Sequence, residues 1–194
     1  MLSERQLQII SESITIIDSK GIQGLTIKNL SKAIGISEPG IYRHFTSKTE
    51  ILLTMLDSFK ETAIKLAKLL ESHEASAPQK LDLLFSKLLE FLTETPAIVS
   101  VIFSEEIFKN EEVLKMKIVE ILNFQSKTVE KIISDGQHNN ELRKDIDNKS
   151  LALMAMGSLR LLVKKWDMNN HNFKLTTEGK KLIDNLKKIF VKQS

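Results

Sequence analysis

The chain has 194 residues, which is enough for one large domain or for a small domain joined to a larger one. Its apolar and charged fractions, 42% and 27%, are typical of a globular protein with a buried core, and its 3 Pro and 7 Gly argue against a many-turned all-β fold. The absence of Cys excludes disulfides, thiolate catalysis and thiolate metal sites, and it fits a reducing compartment. Because the net charge is only +3, any binding to nucleic acid must depend on where the basic groups are placed.

The first ten residues carry charges among their apolar side chains and lack the apolar run of a signal peptide. The most apolar stretches, such as residues 97–103, are far shorter than a membrane span. We therefore expect a cytoplasmic protein.

The first two predicted helices are defined by apolar spacing and by capping residues. Apolar side chains at positions 7, 10, 14 and 17 mark one face of a helix over residues 5–19, and Gly21 is placed to end it. Thr26 is the predicted N-cap of a second helix over residues 27–34. Gly35 is predicted to end that helix.

A short helix and a long one follow. Ser37 is the predicted cap of a very short third helix that ends near Phe45. Ser47 and Glu50 have the spacing of a capping box, and they predict the start of a fourth helix that runs from residue 48 to about residue 70.

The rest of the chain also shows helical periodicity. A polar hinge at residues 72–78 and a loop at 135–148 interrupt it. No strand alternation and no repeat occur, so the sequence predicts an all-α fold of about nine helices. The apolar patterns beyond the hinge cover residues 81–92, 96–103, 113–133, 149–165 and 177–191.

The second and third predicted helices are separated by Gly35, Ile36 and Ser37, a turn length typical of a helix-turn-helix. In such a motif the second helix is free to enter a DNA major groove. Ile36, Ile41 and Phe45 are the predicted core contacts. Placing them inside leaves the following residues wholly or partly outside: Pro39, Gly40, Tyr42, Arg43 and His44.

The helix breakers suit the start of this third helix. Pro39 in the first turn costs no internal hydrogen bond, and Gly40 allows close approach to another surface. Lys48 lies in the first turn of the fourth helix, where a cation opposes the helix dipole but favours a bound phosphate. Tyr42 and His44 can donate hydrogen bonds to phosphate oxygens. Together these residues predict contact with a DNA backbone.

The stretch TIKNLSKAIGISEPGIYRHFTSKTEIL resembles the N-terminal DNA-binding region of the TetR/AcrR family of bacterial transcriptional regulators. The match covers about residues 5–55: a Thr-led helix, a Gly-apolar-Ser turn, a recognition helix with Tyr, His and Phe, and a Lys that opens the next helix. The resemblance implies a DNA-binding domain at residues 1–50 and a helical regulatory and dimerisation domain at 51–194. It implies contacts with double-stranded operator DNA from Thr26, Lys28, Ser37, Pro39, Gly40, Tyr42, Arg43, His44 and Lys48.

Glu38 departs from this pattern, because many relatives carry a basic or neutral residue there. Its carboxylate either accepts a hydrogen bond from a cytosine amino group or points away from the DNA. The sequence leaves both roles open.

Beyond residue 55 the resemblance is one of layout, and it implies a ligand cavity among the middle helices. An apolar lining suits a hydrophobic or amphipathic inducer, although each residue is also consistent with ordinary core. Glu105 and Glu106 face either a cationic ligand or solvent. The candidate lining residues are Phe85, Leu88, Leu89, Leu92, Phe103, Phe124 and Met154, with Phe108 in the same apolar group.

The stretches GSLRLLVKKW and FKLTTEGKKLIDNLKKIF resemble the last two helices of many relatives, which pack against a second subunit as a four-helix bundle. The same apolar stripes are also consistent with the core of a single chain. The implied seam between subunits consists of Ala155, Ser158, Leu159, Leu162, Leu182, Leu186 and Phe190.

These patterns favour a homodimeric, ligand-responsive repressor with an effector of unknown identity. The family resemblance implies that ligand moves the fourth helix and spoils the match to half-sites about 34 Å apart. We expect no enzyme, metal or cofactor, because the four His lack metal-ligand spacing and no phosphate loop or catalytic triad is found. Two alternatives stay open: a helical small-molecule-binding protein without operator binding, and a helical-bundle enzyme such as a di-iron carboxylate protein.

Overall fold

The computed structural model describes residues 2–104 and 111–191. Within those residues the chain forms nine helices and no strand, which confirms the predicted all-α fold. None of the described helices is long and apolar enough to cross a membrane. Three residues considered above, Glu105, Glu106 and Phe108, lie outside the described residues. The helices are α1 (Glu4–Gly24), α2 (Ile27–Ile34), α3 (Glu38–Tyr42), α4 (Lys48–Ser72), α5 (Ala77–Glu94), α6 (Pro96–Ile102), α7 (Glu112–His138), α8 (Asn148–Met168) and α9 (Leu175–Phe190).

Helix α1 begins at a capping box and is broken at a glycine. The Ser3 hydroxyl accepts a hydrogen bond from the Gln6 N–H, and the Gln6 side chain accepts one from the Ser3 N–H. Gly21 has φ 67° and ψ 177°, a conformation that favours glycine, and one further turn follows it up to Gly24. The predicted break at Gly21 is therefore confirmed.

The predicted ends of α2 are also confirmed. The Thr26 hydroxyl accepts a hydrogen bond from the Asn29 N–H at 3.1 Å, and Gly35 ends the helix with φ 78°. The Ser37 hydroxyl then accepts a hydrogen bond from the Gly40 N–H at 3.2 Å, which caps α3.

The start of α4 differs slightly from the predicted capping box. The Ser47 hydroxyl accepts a hydrogen bond from the Glu50 N–H at 3.1 Å, as predicted. The Glu50 carboxylate, however, accepts hydrogen bonds from the N–H and the hydroxyl of Thr46, one residue earlier than the usual partner. Helix α3 ends at Tyr42, before the predicted end near Phe45.

The chain divides into two compact units, which are described separately. The first comprises Met1–Glu61 and Thr95–Val119, and the second comprises Thr62–Glu94 and Glu120–Ser194. Helix α6 therefore belongs with the N-terminal helices, and α4 and α7 contribute residues to both units. The functional division into residues 1–50 and 51–194 stays a prediction.

The core of the first unit lies where α1 packs on α2 and α6. Helix α1 buries Ile9, Ser13, Ile16 and Ile17, and the Ser13 hydroxyl donates to the carbonyl oxygen of Ile9. Of the four residues predicted on the buried face, Leu7 is exposed, Ile10 and Ile14 are half-buried, and only Ile17 is buried. Helix α6 is buried through Ala97, Ile98, Val99, Val101 and Ile102.

The core of the second unit is formed by α9, which packs on α5 and α8. A Cβ at Gly179 would overlap Cδ1 of Leu89, so glycine permits the close approach of α9 to α5. Helix α7 continues to His138, beyond the predicted loop start at residue 135. A Cβ at Gly136 would overlap the side chain of Ala77, so this glycine permits the close approach of α7 to α5 and does not end the helix.

Candidate DNA-binding site

Helices α2 and α3 pack together as a helix-turn-helix, and the core contacts fix the orientation of α3. Ile41 and Phe45 are buried at 0% and 1% exposure, whereas Ile36 is half-buried. All nine predicted DNA contacts are accessible to some degree. Thr26, Lys28, Ser37, Pro39, Tyr42 and Arg43 are exposed, and Gly40, His44 and Lys48 are half-buried.

The glycine at the start of α3 is not required by the packing of the chain itself. A Cβ at Gly40 would lie 3.4 Å from the Ile36 side chain, which is an ordinary van der Waals contact. Its backbone is helical, so no conformational strain demands glycine either. Neither the packing of the chain nor its backbone conformation therefore requires glycine at this half-buried position.

The outward side of the motif carries hydrogen-bond donors that the chain leaves unused. Lys28, Tyr42 and Arg43 form no side-chain hydrogen bond or ion pair with other described residues. Glu38 is exposed on the same motif and likewise has no partner in the described part of the chain. Such donors suit phosphate oxygens and base edges, whereas both predicted roles of Glu38 remain open.

Lys48 is more constrained than the sequence suggested. Its Nζ donates a hydrogen bond of 2.9 Å to the carbonyl oxygen of Ile22, in the last turn of α1. An ammonium has three N–H groups, and one of them is engaged in this bond. The start of α4 is thus joined to the end of α1 through the side chain predicted to bind phosphate.

A residue that the sequence analysis did not select also belongs to this region. The Nε2 of Gln6, in the first turn of α1, donates a hydrogen bond of 3.3 Å to the carbonyl oxygen of His44. The capping-box spacing of Ser3 and Gln6 marks a helix start, but nothing in the sequence indicates a partner 38 positions away.

The carboxylate of Glu50 stabilises the same segment from the other side. The hydroxyl and N–H of Thr46 donate hydrogen bonds to it and hold its pKa below the usual value for Glu. The charged form of Glu50 therefore favours the turn that leads into α4.

The predicted effector-binding residues fall into different environments. In the second unit, Phe85, Leu89 and Leu92 are buried, and Leu88 and Phe124 are half-buried. Met154 is 49% exposed on the outer side of α8, and Phe103 is half-buried in the first unit. Five of the seven candidates are thus buried or half-buried in the second unit.

The predicted subunit seam is largely the core of the second unit. Leu159, Leu186, Ala155 and Phe190 are buried within the single chain, and Ser158, Leu162 and Leu182 are half-buried. A different set of apolar side chains faces outward. These are Leu153, Met154, Leu161 and Met168 on α8 and Ile189 on α9.

The four His lie apart in the sequence, and the described residues contain no group of acidic or His side chains arranged to hold a metal ion. His171, just beyond the end of α8, stacks on Trp166 with ring centroids 3.9 Å apart. Asn170 and His171 both have positive φ, and the His171 N–H donates to the carbonyl oxygen of Trp166. This His therefore contributes to the end of a helix.

Comparison with known proteins identifies the chain. A family model described as "Bacterial regulatory proteins, tetR family" matches residues 9–55, and one described as "YsiA-like protein, C-terminal region" matches residues 57–191. The chain belongs to the TetR family. This TetR-family protein is therefore a DNA-binding transcriptional regulator, in agreement with the predicted helix-turn-helix.

Similar proteins cover nearly the whole chain. The fatty acid metabolism regulator protein of Bacillus subtilis is 24% identical over 183 residues, which is 93% of this chain and 92% of that protein. The structure of FadR from Bacillus subtilis in complex with stearoyl-CoA has a TM-score of 0.78 at 22% identity, covering 93% of this chain and 96% of that one. FadR from Thermus thermophilus in complex with lauroyl-CoA has a TM-score of 0.67 at 17% identity, covering 98% and 97%. The fold is thus shared along both units.

Proposed function

We propose that this protein is a cytoplasmic homodimeric repressor that leaves its operator when it binds a long-chain acyl thioester of coenzyme A. The observation that carries this proposal is the likeness to the Bacillus subtilis fatty acid metabolism regulator, because it extends through the regulatory helices. The two complexes with stearoyl-CoA and lauroyl-CoA support the ligand class. An acyl-CoA is amphipathic, in agreement with the class of inducer that the apolar middle helices predict.

In this proposal the acyl chain lies against the apolar interior of the second unit. Phe85, Leu89 and Leu92 recur on one side of α5 at helical spacing, and all three are buried. Leu88 and Phe124 are half-buried and line the margin. Met154 is left out because it faces outward.

The second subunit is proposed to cover the outward apolar face of α8. Leu153 and Met168 are 73% and 70% exposed, which is unusual for such large apolar side chains on one helix face. A Cβ at Gly157 would meet nothing within 4 Å, so glycine there leaves room for a helix from outside. Ile189 extends the face onto α9, which packs on α8.

Operator contact is proposed for the outward residues of the helix-turn-helix. Thr26 and Lys28 lie at the start of α2, and the remaining seven lie in or after the turn that leads into α3. We assign Tyr42, His44 and Lys48 to phosphates, since their side chains offer donors to backbone oxygens. Ser37, Pro39, Gly40 and Arg43 are assigned to positions in or beside the groove.

A mobility-shift titration with the DNA upstream of the protein's own gene tests the proposal. We expect one specific complex that dissociates when stearoyl-CoA is added, whereas coenzyme A alone leaves it intact. Free stearate is the matched control, because it carries the same acyl chain without the coenzyme A group. Persistence of the complex at saturating stearoyl-CoA contradicts the ligand class, and failure to bind any upstream DNA favours the small-molecule-binding alternative.

A further inference from the structure

Helix α1 is joined to the segment His44–Lys48 near both of its ends. Near its start, the Gln6 amide donates to the carbonyl oxygen of His44, and near its end the carbonyl oxygen of Ile22 accepts from Lys48. The segment between these bonds lies between α3, which ends at Tyr42, and α4, which begins at Lys48. It carries two of the residues assigned to phosphate.

The Gln6 side chain uses both ends of its amide. Its Oε1 accepts hydrogen bonds from the N–H and the hydroxyl of Ser3, at 3.0 and 3.2 Å. Its Nε2 donates to His44 across the boundary between α1 and the recognition segment. Only a side chain with an acceptor and a donor on one group can make both sets of bonds.

We propose that Gln6 is a positioning residue of the DNA interface, which holds the end of the recognition helix in the orientation that phosphate binding requires. Helix α3 has only five residues, and His44 lies two residues beyond its end at Tyr42. The bond from Gln6 fixes the carbonyl oxygen of His44 to the longer α1 and thereby fixes where the His44 side chain emerges. This inference rests on the proposed operator contact of His44 and Lys48.

The two functions of Gln6 are separable by substitution. Gln6→Glu keeps the acceptor oxygens, and Glu is a usual residue at this capping-box position. It removes the N–H donor and so breaks only the bond to His44. Gln8→Glu adds the same charge two residues further on, at an exposed side chain that has no bond to His44, and is the matched control.

The experiment compares affinity for the operator and for unrelated DNA, together with thermal stability, for the full-length wild type and these two variants. We expect Gln6→Glu to bind the operator about three- to tenfold more weakly than Gln8→Glu, the effect of one lost hydrogen bond. The loss should be equally large on unrelated DNA, because a phosphate contact does not depend on the base sequence. The melting temperature of Gln6→Glu should fall only slightly, since the helix cap is kept and only the bond to His44 is lost.

A neutral variant, Gln6→Met, excludes charge repulsion as the cause, and it should show a loss of affinity of similar size. Equal operator affinity of Gln6→Glu and Gln8→Glu contradicts the inference, as does a loss that is confined to the operator and absent on unrelated DNA. If the wild type binds no operator, the proposed function fails. A wild type that binds, with no effect at Gln6, contradicts only the positioning role.

Discussion

Two exposed surfaces of the molecule differ in the chemistry that they present to a binding partner. The helix-turn-helix presents Lys28, Tyr42 and Arg43, whose donors have no partner among the described residues. Helix α8 in the second unit presents large apolar side chains such as Leu153 and Leu161, which carry no hydrogen-bond donor. The first surface suits a polyanion that supplies acceptors, and the second suits a protein face that excludes water. The comparison shows that the packing of each unit decides which side chains stay outside, and that the two resulting surfaces differ in chemistry.

The largest expected effect separates the buried side of α9 from its outer side. Phe190→Ala should lower the free energy of unfolding by roughly 3–5 kcal/mol, because the ring is buried in the second unit. Ile189→Ala, at the exposed neighbouring position, should change it by less than about 0.5 kcal/mol in the monomer. Urea denaturation of both variants measures the difference. Equal effects would show that the two residues share one environment.

An acidic substitution on the outward apolar face of α8 is the most direct test of the proposed contact between subunits. Leu161→Asp should weaken self-association by about a hundredfold or more, since an unpaired carboxylate would be buried between subunits. Leu69→Asp is the matched control, because Leu69 on α4 is exposed to the same extent, 57%. Sedimentation equilibrium gives the dissociation constants. A dimer that survives Leu161→Asp but not Leu69→Asp would place the interface elsewhere.

The donor-rich surface is tested by removing single contacts. Tyr42→Ala and Lys48→Ala should each weaken binding by about tenfold on all DNA sequences, since phosphate contacts carry no sequence information. In Lys48→Ala the salt slope should in addition fall by about 1, because a cationic contact is lost. Lys48→Ala should also lower the melting temperature slightly, because the bond to the carbonyl oxygen of Ile22 is lost. Lys65→Ala, an exposed lysine in the second unit, controls for net charge. Unchanged affinity in the first two variants would exclude a backbone clamp.

The smallest effect concerns the turn before α4. The pKa of Glu50 is lowered in the folded protein, so its contribution to stability is present above the pKa of the unfolded chain and is lost as the pH falls through the folded pKa. Glu50→Gln should therefore lower the melting temperature at neutral pH and make little difference in acid. Glu38→Gln, at an exposed carboxylate without a partner among the described residues, is the control for the loss of one negative charge. Thermal melts of the wild type and of both variants at several pH values test this expectation.

Much of the structure of the helix-turn-helix was predicted from sequence patterns that act over a few residues. Thr26, Gly35 and Ser37 act on neighbours within a few residues, so their caps and turns were predicted correctly from spacing alone. The capping pattern at Ser47 was correct in its first half. The second half was wrong, since the Glu50 carboxylate accepts its hydrogen bond from the Thr46 N–H and not from the Ser47 N–H. Several donors lie within reach of a flexible Glu side chain, and sequence spacing does not specify which of them it binds.

The second unit was predicted less completely, for a physical reason. Helices α8 and α9 carry apolar residues on more than one face, so periodicity identifies the helices but not which face the chain covers itself. Leu159 and Phe190 are buried by the packing of α9 on α5 and α8, whereas Leu153 and Met168 remain outside. Burial is decided by neighbours that are distant in the sequence.

The sequence by itself determined the helical class, the helix-turn-helix and the residues that it turns outward, because helix periodicity and capping depend on contacts within one or two turns. Only the tertiary structure decided which apolar stripe is core, that α6 belongs with the N-terminal helices, and that Gln6 and Lys48 bond to His44 and Ile22. These features join residues that lie far apart along the chain, and no local pattern encodes such a pairing.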